Sequence, residues 1–309
     1  MKKKIQIISR LAIGSLFVTL LSLSANAQKL PAVQEASVAA PANVKVDAKL
    51  GEWENNFQAL NKTTDIYYTM ANDANNLYLV MKSADQANNN KIIGGGINLT
   101  INKANKKSEK DAFVVSFPVA NMANLRNAMM SGMRTSRPAA SGTTAQQGPD
   151  SAMIADMRKR VVSTFKEIKL IGFKDIPDSV ISIYNEYGIK AFVDFDDKGS
   201  LVVEMAVPLK ELGLDAGAAF TYNIKLNGIN LNAMMSGMRV SGGPGGASFS
   251  RDGGGGGAAP MATTVVMAAP AGGIAMDGGG GMGMPRSMGD IANMLSPTDF
   301  WGKYTLIKK

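Results

Sequence analysis

The stretch that decides the fold runs from Ile66 to Ser83 and reads IYYTMANDANNLYLVMKS. Two runs of strand-forming residues, 66–72 and 76–83, flank the turn-forming cluster Asp73-Ala74-Asn75. Such runs on either side of a short turn predict a β-hairpin. In the second run alternate side chains share a face. The aliphatic face expected to point into a core consists of Leu77, Leu79 and Met81.

The remainder of the chain is dominated by elements of the same kind. A second hairpin is predicted where 189–195 and 201–207 flank Asp196-Asp197-Lys198-Gly199, a turn that ends in glycine. Short helices are predicted at 85–93 and 151–166, and a single helical turn at 208–213. Further strands are predicted at 97–102, 112–119, 168–171, 220–231 and 299–307. The fold class is therefore all-β, an antiparallel β-sandwich with one or two short helices and two long loop insertions.

The N-terminal 27 residues have the pattern of an export signal. Four basic residues precede or open the apolar run 11–23, and Ala25-Asn26-Ala27 follows as a small-residue cleavage site. We expect a mature chain that starts at Gln28 in the periplasm or outside the cell. An apolar run of this length is too short to span a bilayer, so no transmembrane segment is expected after cleavage.

Composition shifts divide the mature chain. Residues 28–43 are rich in alanine and proline and predict a linker, and 44–309 form a single β-sandwich domain. Two low-complexity insertions interrupt that domain, at about 120–150 and 242–290. In the second, 17 of the 48 residues from 242 to 289 are glycine. Such a segment cannot bury enough apolar surface to offset the loss of backbone entropy on folding, so a disordered loop is predicted.

Residue types that are missing from the sequence exclude much chemistry. The chain has neither cysteine nor histidine, which rules out disulfides, Ser-His-Asp catalysis and histidine-ligated zinc or haem. The leader carries four basic residues and no acidic one, so its removal lowers the formal net charge from +8 to +4. That charge is too small to indicate a nucleic-acid partner. We expect no cofactor and no enzymatic activity.

Four segments carry a resemblance to a known family. They are VKVDAKLGEW at 44–53, NDANNLYLVMKS at 72–83, VVEMAVPLKELGL at 202–214 and FWGKY at 300–304. In this order they resemble the family 9 carbohydrate-binding-module-like β-sandwich of the DOMON-like superfamily, over roughly 44–118 and 166–307. The resemblance implies a bacterial, exported sandwich related to sugar-binding modules and more distantly to haem-binding domains. The family's turn often reads Asp-Gly-x-x-Asp-Glu-Trp, and here its glycine and second aspartate are missing between Asp47 and Trp53.

Aromatic residues are the candidates for a ligand site. Sugar-binding members of the family hold a sugar ring between two tryptophans, and this chain has only Trp53 and Trp301. Both either stack on a sugar or pack against the sheets. Tyr67 and Tyr78 of the first hairpin are further candidates for a binding platform. Asp47, Asp73 and Asp85 are either calcium ligands or turn-forming residues.

A decapeptide occurs twice, as NAMMSGMRTS at 127–136 and NAMMSGMRVS at 232–241. Nine of its ten positions are identical, which indicates a shared local role at the two strand ends that precede it. Methionines at these positions are either flexible apolar filler or thioether ligands for a soft metal such as Cu(I). The six residues are Met129, Met130, Met133, Met234, Met235 and Met238.

Two functions remain open from the sequence. The first is an exported, non-catalytic binding module whose ligand is a carbohydrate of the envelope or the environment. The second is a structural or assembly protein of the cell envelope, whose Gly/Met-rich loops engage a partner.

Overall fold

The hairpin predicted at 66–83 is present and forms the centre of one sheet. The computed structural model describes residues 29–135, 151–230, 239–243, 246–250 and 288–308. The predicted leader, 1–27, therefore lies outside the described residues. In chain order the strands are β1 (Val38–Ala39), β2 (Ala59–Asn61), β3 (Ile66–Asn72), β4 (Asn76–Ser83), β5 (Ile97–Asn102), β6 (Phe113–Phe117), β7 (Glu167–Ile171), β8 (Val180–Ser182), β9 (Lys190–Phe195), β10 (Leu201–Pro208), β11 (Ala219–Leu226), β12 (Arg239–Gly243), β13 (Gly246–Ser250) and β14 (Thr298–Thr305).

The described residues also contain five helices, where one or two were predicted. They are α1 (Gln86–Gly95), α2 (Met122–Thr135), α3 (Ser151–Val162), α4 (Leu209–Leu212) and α5 (Met288–Leu295). The predicted helix at 85–93 is α1, whose first turn is capped by the Asp85 carboxylate, which accepts a hydrogen bond from the Asn88 N–H at 2.8 Å.

Two six-stranded sheets pack face to face, which confirms the predicted antiparallel sandwich. The first sheet has the order β1-β3-β4-β10-β9, with β2 also paired to β3, and the second has the order β14-β11-β5-β6-β7-β8. All pairs within the two sheets are antiparallel except β1 with β3. Strands β12 and β13 pair only with each other among the described residues.

The main core lies between the inner faces of the two sheets. Leu77, Leu79 and Met81 point into it, as the alternation in β4 predicts. A hydrogen bond between the hydroxyls of Tyr68 and Tyr222, 2.9 Å apart, joins the first sheet to the second through this core. A second, smaller cluster covers the outer face of the first sheet, and it contains Trp53, Tyr78, Val80, Val202 and Ala206 with small apolar neighbours.

The insertions contain more structure than predicted. In the first, α2 occupies residues that were predicted to be a loop, because Leu125 and Met129 pack on the core at helical spacing. In the second, predicted to be disordered, β12 and β13 pair as an antiparallel hairpin. Helix α5 then returns the chain, and the Ile229 N–H donates to the Met294 carbonyl at 2.9 Å. The parts 136–150 and 251–287 lie outside the described residues.

The prediction of a linker at 28–43 is wrong for residues 31–40, which pack on the first sheet. Gln34 is 4% exposed, and its side chain bonds both to the Met70 N–H and to the Met70 carbonyl, at 2.7 and 2.8 Å. Strand β1 then runs parallel to β3. The alanine-rich composition suggested a linker, but a single buried amide that pairs with a strand edge is enough to order this segment.

We expect Gln34→Ala to lower the free energy of unfolding by about 2 kcal/mol, because it leaves the Met70 N–H and carbonyl buried without partners. Urea denaturation measures the change. The control is Gln86→Ala on α1, whose half-buried side chain bonds only to Asn90 and should change stability by less than about 0.5 kcal/mol. Equal effects of the two substitutions would contradict the anchoring role of Gln34.

Candidate ligand-binding cleft

A cleft of about 710 Å³ opens on the outer face of the first sheet. Residues 44–57, here named the strap, cover much of that face and stop short of one end of it. Five chain segments meet around the opening: the strap, the β3–β4 turn, the β8–β9 loop, the end of β10 with α4, and the loop that leads into β11. Pockets for small ligands commonly fall in this size range.

A small residue in the middle of the sheet creates the floor of the cleft. On the outer face, Ala206 of β10 lies directly opposite Tyr78 of β4 and opposite Lys190 of β9. The short side chain between two long ones leaves a depression. At the next position along β10 on the same face, Pro208 lies opposite Asn76, which places that amide at the mouth.

Tyr78 is the one candidate from the sequence that lines this cleft. Its ring is buried, and its hydroxyl donates to Asp73 Oδ2 at 2.8 Å and accepts from Asn76 Nδ2 at 3.2 Å. Burial, together with the Asp73 carboxylate, raises the pKa of Tyr78 to about 12. Burial opposes ionisation of Asp73 as well, but hydrogen bonds from the Asn75 N–H, the Tyr78 hydroxyl and Asn76 lower its pKa below the ordinary value. The Tyr78 hydroxyl is therefore neutral and held in one orientation by Asp73 and Asn76.

The walls combine an apolar side and a polar rim. Val44 and Val46 of the strap form one wall, and the half-buried ring of Tyr187 lies in the β8–β9 loop. The rim carries two acidic and two basic exposed side chains, namely Glu186, Asp215, Lys190 and Lys210. Because these charges balance, the site is suited to a neutral ligand with many hydrogen-bonding groups.

Hydrogen bonds to backbone carbonyls hold the segments around the cleft in place. The Leu209 N–H donates to the Asn75 carbonyl at 2.7 Å, which ties α4 to the β3–β4 turn. In the β8–β9 loop, Asn185 Nδ2 donates to the carbonyls of Ser182 and Ile189 at 2.8 and 2.7 Å. These bonds connect the polar rim to ordered strands, so a ligand would meet a largely preformed site.

Trp53 does not present a free face to a ligand. It is 6% exposed, packs edge-on against Tyr78 with ring centroids 6.1 Å apart, and donates its indole N–H to Glu204 Oε1 at 2.7 Å. Tyr67 is half-buried against Phe57, with centroids 5.8 Å apart, and does not line the cleft. Of the three candidates on the first sheet, Trp53, Tyr67 and Tyr78, only Tyr78 lines the cleft.

Trp301 lies on the other sheet and does not form a clamp with Trp53. Its neighbours Phe300 and Tyr304 in β14 point into the main core, so Trp301, half-buried, is on the outer face of the second sheet. Trp53 covers the outer face of the first sheet. The arrangement that the family resemblance implied, two tryptophans around one sugar, is wrong for this structure.

Of the six candidate methionines, only the side chain of Met129 is described, and it packs half-buried against the main core. Met130 and Met133 belong to α2, but their side chains lie outside the described part, as do Met234, Met235 and Met238 entirely. Asp47, Asp73 and Asp85 each accept backbone hydrogen bonds within their own turns. In the part of the chain that the structure describes, no group of three acidic residues is arranged to hold a metal ion.

The sequence interpretation overlooked Glu204 and a polar row on the second sheet. Glu204 stands in the otherwise apolar run LVVEMAVP, and a carboxylate in a fully buried strand was a signal available from the sequence. On the outer face of the second sheet, Asn223 lies opposite both Trp301 and Thr100. Within the described residues, Thr100 Oγ1, Thr221 Oγ1 and Asn223 Oδ1 are buried without a hydrogen-bond partner.

The cleft and the strand ends that precede the two insertions lie at opposite ends of the sandwich. Both Phe117, the last residue of β6, and Leu226, the last of β11, lie opposite Ile97. The strands that precede the two insertions therefore run in the same sense and end together. The cleft residue Asp215 precedes the start of β11 at Ala219, and the eight residues of this strand span about 25 Å.

Comparison with known proteins does not assign the chain to a family. No model of a known protein family matches the sequence, and no curated protein matches it either. In the described residues, no helix is both long and apolar enough to cross a membrane.

Proposed function

We propose that this chain is an exported, non-catalytic binding protein and that its ligand is a neutral carbohydrate held in the cleft. The observation that carries the proposal is the composition of the cleft: an amide, a tyrosine hydroxyl and balanced charges around one half-buried aromatic ring. Sugars offer hydroxyl groups to such donors and acceptors, and an apolar ring face to an aromatic side chain. The resemblance to carbohydrate-binding modules and the export signal support the same conclusion.

Tyr187 and Asn76 are expected to contribute most to binding. Tyr187 is the aromatic ring at the rim, and Asn76 is held in place by its bond to Tyr78. A glycan array followed by calorimetry should find a saturable neutral glycan. Its affinity should fall roughly tenfold or more in Tyr187→Ala and in Asn76→Ala, since each loses the equivalent of at least one good contact.

The matched control is Trp301→Ala, which removes an aromatic ring from the opposite sheet. It should leave glycan affinity unchanged, and thermal melting should show that all three variants fold. Binding lost in Trp301→Ala but kept in Tyr187→Ala would place the site on the second sheet and contradict the cleft. An absence of binding to any glycan would contradict the proposed function.

The placement of the insertions favours a second candidate, a structural or assembly protein of the envelope. Near-identical decapeptides follow β6 and β11 in the sequence, and these strands end at the same end of the second sheet, on either side of β5. Two chain segments of the same sequence that start from one end of a sheet are suited to a common partner. Scrambling both copies should then release the protein from the envelope fraction, whereas Tyr187→Ala should not. The carbohydrate proposal predicts instead that scrambling leaves glycan affinity unchanged and that Tyr187→Ala lowers it.

A further inference from the structure

A buried carboxyl group of the first sheet binds the strap. Glu204 lies in the middle of β10 on the outer face, is 1% exposed, and has the apolar residues Val80 and Phe192 directly opposite on the neighbouring strands. Nothing in the main core needs this charge, because the side chain points away from it. Among the described residues, its hydrogen-bond partners all belong to the strap.

Three donors from the strap converge on this carboxylate. Oε2 accepts the backbone N–H groups of Asp47 and Ala48 at 2.8 and 2.6 Å, and Oε1 accepts the indole N–H of Trp53 at 2.7 Å. These hydrogen bonds offset part of the cost of burying the carboxyl group. Asp47 and Ala48 directly follow Val46, and Val44 and Val46 form the apolar wall of the cleft.

We propose that Glu204 is the positioning residue of the cleft, whose carboxylate fixes the strap on the first sheet and so sets the wall that Val44 and Val46 present to a ligand. The role of the strap as a wall for a ligand rests on the proposed function of the cleft. The effect of Glu204 on strap opening is independent of that function, because it is measured without a ligand.

The position of Glu204 makes strap opening depend on pH. Burial raises the pKa of Glu204 from its ordinary value near 4.5 to about 7, and the nearby Asp47 carboxylate adds to this, while the three hydrogen bonds oppose it. The strap also carries Lys45, Lys49, Glu52 and Glu54. The neighbouring strands carry Lys82, paired with Asp196 at 2.7 Å, and the outward-facing Asp194 and Lys190.

The direction of the effect follows from linkage. Opening the strap returns Glu204 to water, where its pKa falls back towards 4.5, so the open form holds the proton less tightly than the closed form. Opening is therefore least populated at low pH and increases as pH rises towards the folded pKa near 7, above which it levels off. Between pH 5.5 and 8.5 the opening constant should rise roughly thirtyfold.

Hydrogen exchange read by mass spectrometry tests this on the full chain. Peptides that cover 44–57 should show the thirtyfold rise after correction for intrinsic exchange, and they should exchange faster than a β11 peptide, which opens only on global unfolding. In Glu204→Gln, which has no titratable group at this position, strap opening should be independent of pH. Trp53→Phe removes one hydrogen bond that lowers the pKa, so its transition should move to higher pH.

Each outcome decides the inference. A strap that opens equally at all pH values in the native chain, or one that keeps its pH dependence in Glu204→Gln, would overturn it. If Glu204→Gln does not fold, the unshifted transition in Trp53→Phe overturns it instead. A pH-dependent strap without glycan binding would refute the proposed function alone. Glycan affinity of Glu204→Gln equal to that of the native chain at both pH 6 and pH 8 would refute the positioning role.

Discussion

Gly302→Ala is expected to lower the free energy of unfolding by about 3 kcal/mol, the upper end of overpacking effects in a core. Gly302 of β14 lies opposite Tyr222 of β11, and a β-carbon added there would overlap the Cζ atom and the hydroxyl oxygen of that tyrosine. Tyr222 is fully buried and hydrogen-bonded to Tyr68, so its ring cannot move aside cheaply. The melting temperature should fall by about 10 °C in a domain of this size.

Gly51→Ala is the matched control. A β-carbon at Gly51 of the strap has no neighbour within 4 Å, and the substitution should change stability by less than about 0.5 kcal/mol. The clash is tested directly by combining Gly302→Ala with Tyr222→Leu, since the shorter side chain vacates the space. The double variant should be more stable than the sum of the two single changes predicts. Strict additivity would show that the overlap is relieved by another route.

Tyr222→Ala is expected to be more damaging still, at about 4 kcal/mol, because it leaves a cavity at the centre of the sandwich. The ring packs edge-to-face on Tyr68, with centroids 6.4 Å apart and an interplanar angle of 67°. The substitution also removes the hydroxyl that joins the two sheets. Urea denaturation should show an earlier midpoint.

Tyr222→Phe separates the two contributions. It keeps the ring and removes only the hydroxyl, and should lower stability by about 1 kcal/mol, the net value of a typical hydrogen bond. The Tyr68 hydroxyl still accepts from the Gln34 N–H at 2.8 Å in that variant. A loss in Tyr222→Phe as large as that in Tyr222→Ala would mean that the hydroxyl pair, and not the ring, holds the sheets together.

The strands were predictable because their signals are local. In 66–83 the alternation and the Asp73-Ala74-Asn75 turn predict β3 and β4 at the bounds that the structure has. The turn at 196–199 works in the same way, since Asp196 Oδ1 accepts the backbone N–H groups of Lys198 and Ser200 within its own turn. Neither hairpin needs information from the rest of the chain.

The candidate site was predicted only in part because its geometry is set by distant residues. Trp53 has the type of a sugar-stacking residue, but its partner Glu204 lies 151 positions away and holds it inward. The cleft is assembled from five segments, of which the sequence indicated only Tyr78. Helix α2 was missed because its methionines and glycine resemble low-complexity sequence, whereas Leu125 and Met129 are fixed by the core they pack on.

The cleft lies at one end of β11, and the other end of that strand, Leu226, lies beside the end of the sheet where β6 also finishes. An attachment made at that far end leaves the cleft accessible. A label, a surface linkage or a fused domain placed near residue 230 therefore sits about 25 Å from the mouth of the cleft, the length of that strand. The sandwich then acts as a spacer with a defined direction, holding one end while it presents the other.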